Sequence, residues 1–115
     1  MADPIRTFAQ GFPAATAVRL EEMIDAGDDA VVSRTLAKGE AGTLTLFAFD
    51  QGQELSEHTA PFDAFVQVLE GEVLLRIGGQ DVIATAGQGV LMPAGVPHSV
   101  HATRRLKMLL TMLRR

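Results

Sequence analysis

From Val31 onward, apolar residues recur at alternate positions or in short runs, and each run stops at glycine, aspartate or proline. The segments VVSRTLAK, TLTLFAFD, AFVQVLEG, EVLLRIG, DVIATAG, GVLMPAG, PHSVHAT and RLKMLLTML all read as strands on this basis. Nearly every glycine between Gly39 and Gly95 falls in a joint. Gly78-Gly79, between LLRI and DVI, is the sharpest of these signals, because adjacent glycines supply the positive φ angles of a two-residue hairpin turn. Short strands at this spacing, with no long helical pattern between them, predict an all-β sandwich or barrel. Phe65, Leu69, Leu91 and Leu109 are apolar on the opposite phase from their neighbours. The pattern therefore predicts that the outer face of one sheet is covered as well.

The first 30 residues lack this alternation and are expected to form an arm packed on the barrel or on a partner subunit, with residues 31–115 forming the barrel. Within the arm, VRLEEMIDAGDD is ambiguous. Leu20, Met23 and Ile24 would share one face of a short helix, yet the same residues also suit an extended edge, and a Gly-Asp-Asp turn closes the stretch.

Composition narrows the function. A chain of 115 residues has room for one core, and 47% hydrophobic with 21% charged residues suits a folded soluble domain. The net charge of −4 speaks against nucleic acid as a partner. Arg104, Arg105, Lys107, Arg114 and Arg115 gather near the end, where they are expected to be solvated edge charges. Cysteine is absent, which excludes disulfides, thiolate catalysis and Cys-ligated zinc. Pro4, Arg6 and Pro13 interrupt the N-terminus as a secretion signal, and no apolar run is long enough for a membrane helix, so a cytoplasmic location is expected. Ser33, Ser56 and Ser99 have no triad-like spacing to a base, and no glycine-rich phosphate loop precedes a helix.

Histidine is the remaining chemistry-bearing residue. His58 and His98 each lie beside a turn, close to Pro61 and to Pro93-Ala94-Gly95, and each is expected to open a strand. Two such imidazoles could converge inside a small barrel, where zinc, iron, manganese or nickel accept ring nitrogen. His101, three residues past His98, has the phase of the opposite face of a regular strand.

Two segments carry a family resemblance. Gly52, His58, Ala60, Ala64 and Gly71 match the spacing of the first signature of the cupin superfamily, and Gly87, Pro93, Gly95, His98 and Ala102 match the second. VLEGEV and MPAGVPH are similar to cupin sequences in wording, and the resemblance spans roughly residues 31–113. It implies a single-domain jelly-roll barrel with an N-terminal arm. It also implies a two-fold homodimer in which a partner subunit covers one sheet, with cover by residues 18–26 of the same chain as the alternative.

Metal-binding cupins are known for three histidines and one glutamate. Here alanine stands at the second histidine position (Ala60), at the glutamate position (Ala64) and at the optional asparagine position (Ala102). Asp63, Glu57, Gln67 and His101 are all out of phase as substitutes. On this alignment the inward face carries His58, Ala60, Ala64, Val66, Val68, Met92, His98, Val100 and Ala102, either lining an apolar pocket or packed solid by phenylalanine and methionine. Three readings follow. One is a small-molecule-binding barrel needing no cofactor, with His58 and His98 as its polar groups. Another is a metal-dependent dioxygenase, isomerase or decarboxylase holding Zn, Ni, Mn or Fe on the same two histidines. The third is a non-catalytic sensor or partner module.

Overall fold

The computed structural model describes residues 11–114. Among the described residues a 3₁₀ turn, Leu20–Glu22, precedes nine strands: β1 Val31–Gly39, β2 Gly42–Phe49, β3 Glu54–His58, β4 Asp63–Glu70, β5 Glu72–Ile77, β6 Gln80–Thr85, β7 Gly89–Met92, β8 His98–Ala102 and β9 Leu106–Leu113. They form two antiparallel sheets, one of five strands in the order β1-β2-β9-β4-β7 and one of four in the order β3-β8-β5-β6. The order is non-sequential because the chain passes repeatedly from one sheet to the other, which is the winding of a jelly roll. Each sheet lays one apolar face on the other.

The alternation of the sequence sets which face that is. In β4, Ala64, Val66 and Val68 are buried, while Phe65 and Gln67 point out. In β5, Val73 and Leu75 point in, and in β8, His98, Val100 and Ala102 do so. Apart from His98, these inward rows join Phe49, Ala84, Met92, Leu106 and Met108 in one core cluster. The β5–β6 hairpin turns on Gly78-Gly79, with φ of 57° and 82° and Ile77 opposite Gln80, as the sequence predicts.

A second cluster covers part of the outer face of the five-stranded sheet. Phe12, Leu20, Met23, Ile24 and Ala26 lie against Leu36, Leu46, Ala48, Leu69 and Leu109. Three cations fasten this segment by donating to its carbonyl oxygens. Arg34 reaches Met23 at 3.0 Å and Gly11 at 2.7 Å, Arg105 reaches Ala26 at 2.7 Å, and Lys107 reaches Glu21 at 2.6 Å. Arg105 and Lys107 are therefore tethers, not the purely solvated charges the sequence suggests. Residues 1–10 of the expected arm lie outside the described residues.

Two expectations change. Residues 18–26 form neither a helix of useful length nor a strand, because the only regular element there is the three-residue turn Leu20–Glu22. ELSEH, which is not among the segments predicted as strands, is β3, an edge strand in which Leu55 packs against the core.

Candidate functional site

His58 is the last residue of β3 and His98 the first of β8, and the two stand directly opposite each other in the antiparallel pair. His58 thus closes a strand instead of opening one. A register shift between Leu55 and His58 puts an extra residue into β3 and turns the His58 side chain to the same face as His98. The rings meet edge to face, with centroids 4.4 Å apart and planes at 68°. His98 is buried at 5% exposure, whereas His58 is exposed, so the pair runs from solvent into the end of the roll.

Backbone oxygens fix the tautomer of each ring. His58 Nδ1 lies 2.8 Å from the carbonyl oxygen of Ser56, and His98 Nδ1 lies 3.2 Å from that of Val96. A carbonyl oxygen can only accept, so each Nδ1 carries the hydrogen. In the neutral rings the lone pair is then on Nε2. Burial pushes the His98 pKa down from its ordinary value. The Val96 carbonyl opposes this shift and the neighbouring His58 adds to it. His98 is therefore a neutral imidazole at pH 7, and its Nε2 is a hydrogen-bond acceptor.

The lowered pKa predicts an acid-sensitive fold. Below pH 6.5, the ordinary histidine value, the unfolded chain takes up a proton that folded His98 refuses. Stability should be level above that pH and decline as pH falls from there toward the depressed folded pKa. Melting temperatures measured from pH 8 to pH 5 check this, and His98→Gln should flatten the decline. An unchanged slope in the variant would refute the assignment.

Most of the other residues expected on the inner face are where the alternation puts them. Ala64, Val66, Val68, Met92, Val100 and Ala102 are each no more than 2% exposed and pack in the main core cluster. Ala60 is different. It stands between β3 and β4, and its carbonyl accepts from Gly95 N–H at 2.9 Å, tying the histidine loop to the Pro93-Ala94-Gly95 turn. Asp63 Oδ1 accepts from Ala94 N–H at 2.9 Å and so braces the same turn. His101 faces away, as its phase predicts. Its Nδ1 lies 3.2 Å from Glu54 Oε2 on the outer side of the four-stranded sheet, beside a groove of about 260 Å³ that also touches Leu74, Arg76 and Ser99.

The residues present do not fit a resident metal. Among the described residues no three His, Asp or Glu side chains converge as an ion would require. Two imidazoles fall short of the three protein ligands of a tight site, and the inward position where a carboxylate would complete the set is the methyl of Ala64.

Comparison with known proteins agrees with this architecture. A cupin domain model matches residues 45–112. A conserved protein of unknown function from Streptococcus pyogenes superposes with a TM-score of 0.90 at 30% identity, over 95% of this chain and 96% of that one. A cupin superfamily protein from Desulfitobacterium hafniense gives 0.87 at 25% identity, over 93% and 98%. A cupin 2 conserved barrel domain protein from Leptotrichia buccalis gives 0.80 at 33% identity, over 83% of this chain and 46% of that one. No curated protein matches the chain. With the family model spanning more than half its length and both signature histidines side by side, this chain belongs to the cupin family.

Proposed function

We propose that this protein binds a small organic molecule at the histidine end of the roll, with His58 and His98 as its polar anchors. The observation that carries this reading is the pair of Nδ1–H donors engaged by the carbonyls of Ser56 and Val96. Those contacts orient both rings and leave two Nε2 atoms for a ligand. A group that keeps its hydrogen at neutral pH, such as a hydroxyl or enol, is what two neighbouring acceptors select. His98, neutral and shielded, can also take a proton from such a group, while exposed His58 can pass it to water. The core beyond the pair is closely packed, so the bound molecule would sit at the end of the roll and not deep within it.

The test is a thermal-shift screen of small hydroxyl and enol compounds on the wild-type protein and on His58→Ala and His98→Ala. A ligand at one hundred times its dissociation constant should stabilise the wild type by about 2.7 kcal/mol. The shift should disappear in both variants, and the metal content should be the same low value in all three proteins. Ligands that stabilise the variants as well as the wild type would refute the reading. So would a transition metal copurifying at one equivalent per chain and lost from both variants.

A further inference from the structure

The histidine pair leans on a turn that belongs to neither of its strands. Pro93, Ala94, Gly95 and Val96 reverse the chain between β7 and β8, and Val96 N–H closes the turn on the Pro93 carbonyl at 3.3 Å. Gly95 has a φ of 76°, the conformation that favours glycine at the third position of such a turn. Proline has no N–H, so the turn is left with two amide donors, on Ala94 and Gly95, that need acceptors elsewhere. The chain that follows His58 supplies both. Gly95 N–H donates to the Ala60 carbonyl at 2.9 Å, and Ala94 N–H donates to Asp63 Oδ1 at 2.9 Å.

The turn bears on the chemistry because Val96, its last residue, carries the carbonyl that accepts from His98 Nδ1. That contact is 3.2 Å long, against 2.8 Å for the Ser56 contact of His58. It lies at the outer end of the ordinary range, so a small displacement of the Val96 carbonyl breaks it. On the far side, Gly78 N–H holds the same segment by donating to the Pro97 carbonyl at 2.8 Å. These backbone contacts come with the fold. The Asp63 contact depends on the identity of one side chain, and a carboxylate acceptor makes it stronger than a neutral pair.

We propose that Asp63 is a positioning residue for the histidine pair. By holding Ala94 N–H it places the Val96 carbonyl, keeps the hydrogen of His98 on Nδ1, and so keeps the lone pair on Nε2. Which ring nitrogen carries the proton is set by the partner the other one finds, and Asp63 controls that partner through the turn. The consequence for a ligand rests on the function proposed above. The placement of the proton does not, and it can be read in the ligand-free protein.

Nitrogen-15 NMR of the imidazoles in the full chain, at pH 8 and so above the ordinary histidine range of about 6.5, tests the proposal. The wild type should show Nδ1–H as the dominant tautomer of both His58 and His98. In Asp63→Ala the ratio of Nδ1–H to Nε2–H at His98 should fall about five-fold, the size expected when one ordinary hydrogen bond is lost. His58, whose carbonyl partner Ser56 lies within β3, should keep its ratio. Asp63→Asn retains an acceptor and should restore the wild-type ratio. Ala94→Pro removes the donor instead and should reproduce the Asp63→Ala change, since proline suits the second position of this turn. That variant carries the test if Asp63→Ala folds poorly. An unchanged His98 ratio in Asp63→Ala and Ala94→Pro would overturn the proposal. So would an equal fall at His58, which marks general loosening of the roll, or a failure of Asp63→Asn to restore the ratio. If the His98 ratio falls as expected while the hydroxyl and enol screen finds no binder, the ligand reading fails and the role of Asp63 stands.

Discussion

Gly71→Ala should destabilise the fold by at least about 3 kcal/mol and lower the melting temperature by roughly 10–20 °C. Gly71 joins β4 to β5 at φ +85°, in the left-handed region that side chains avoid. A methyl group there would also collide with the carbonyl group of Arg105, whose oxygen and carbon would lie 1.8 Å and 2.8 Å away. The obstacle is backbone, so no rotamer change relieves it. Either the crossing from the five-stranded to the four-stranded sheet opens, or the turn before β9 moves. Urea denaturation midpoints of the purified variant measure the effect. Gly79→Ala is the control. Gly79 also has positive φ, at 82°, but no atom would lie within 4 Å of its methyl. It should lose only the backbone share, about 1 kcal/mol. Equal losses at the two positions would show that the close approach to Arg105 contributes nothing.

Phe49→Ala should cost about 3–5 kcal/mol, the usual loss for removing a fully buried ring. Phe49 is 0% exposed and is the largest of the fully buried side chains. It faces the core from the end of β2, opposite Val31 on β1 and Leu106 on β9, with the Phe47 ring 6.1 Å away. Removing it would leave a void touched by both sheets, and the roll cannot collapse into that space without moving β2 against β9. Leu91→Ala provides the contrast. Leu91 is 54% exposed on the outer face of β7 and should cost about 1 kcal/mol or less. Chemical denaturation of both variants checks the difference, and similar losses would mean that the inward phase assigned to β2 is wrong.

The family resemblance and the alternation in the sequence made most of the fold legible. Val66, Val68, Val100 and Ala102 are buried as their phase requires, and His101 is turned outward by the same rule. Strand β3 escaped because an edge strand with one core-facing residue carries almost no periodic signal. The approach of His58 to His98 was legible only as a possibility. It depends on the bulge between Leu55 and His58, and an extra residue cannot be located from hydrophobic phase in a strand that has only one apolar residue. Thr43 escaped for a different reason. That its buried hydroxyl has no hydrogen-bond partner among the described residues is a property of what surrounds it, and nothing in TLTLFAFD distinguishes it from Thr45.

The sequence by itself determined which residues alternate inward, where the chain turns, and that the usual coordinating side chains at positions 60, 64 and 102 are methyls. These are local properties, fixed by side-chain chemistry and the two-residue period of a strand. The tertiary structure alone decided the sheet order, the edge-to-face contact of the two imidazoles, and the use of Arg34, Arg105 and Lys107 to hold the arm. Each of these joins residues through space. Arg105 and Ala26 are far apart in the chain, and His58 meets His98 only because β3 and β8 pair in one particular register.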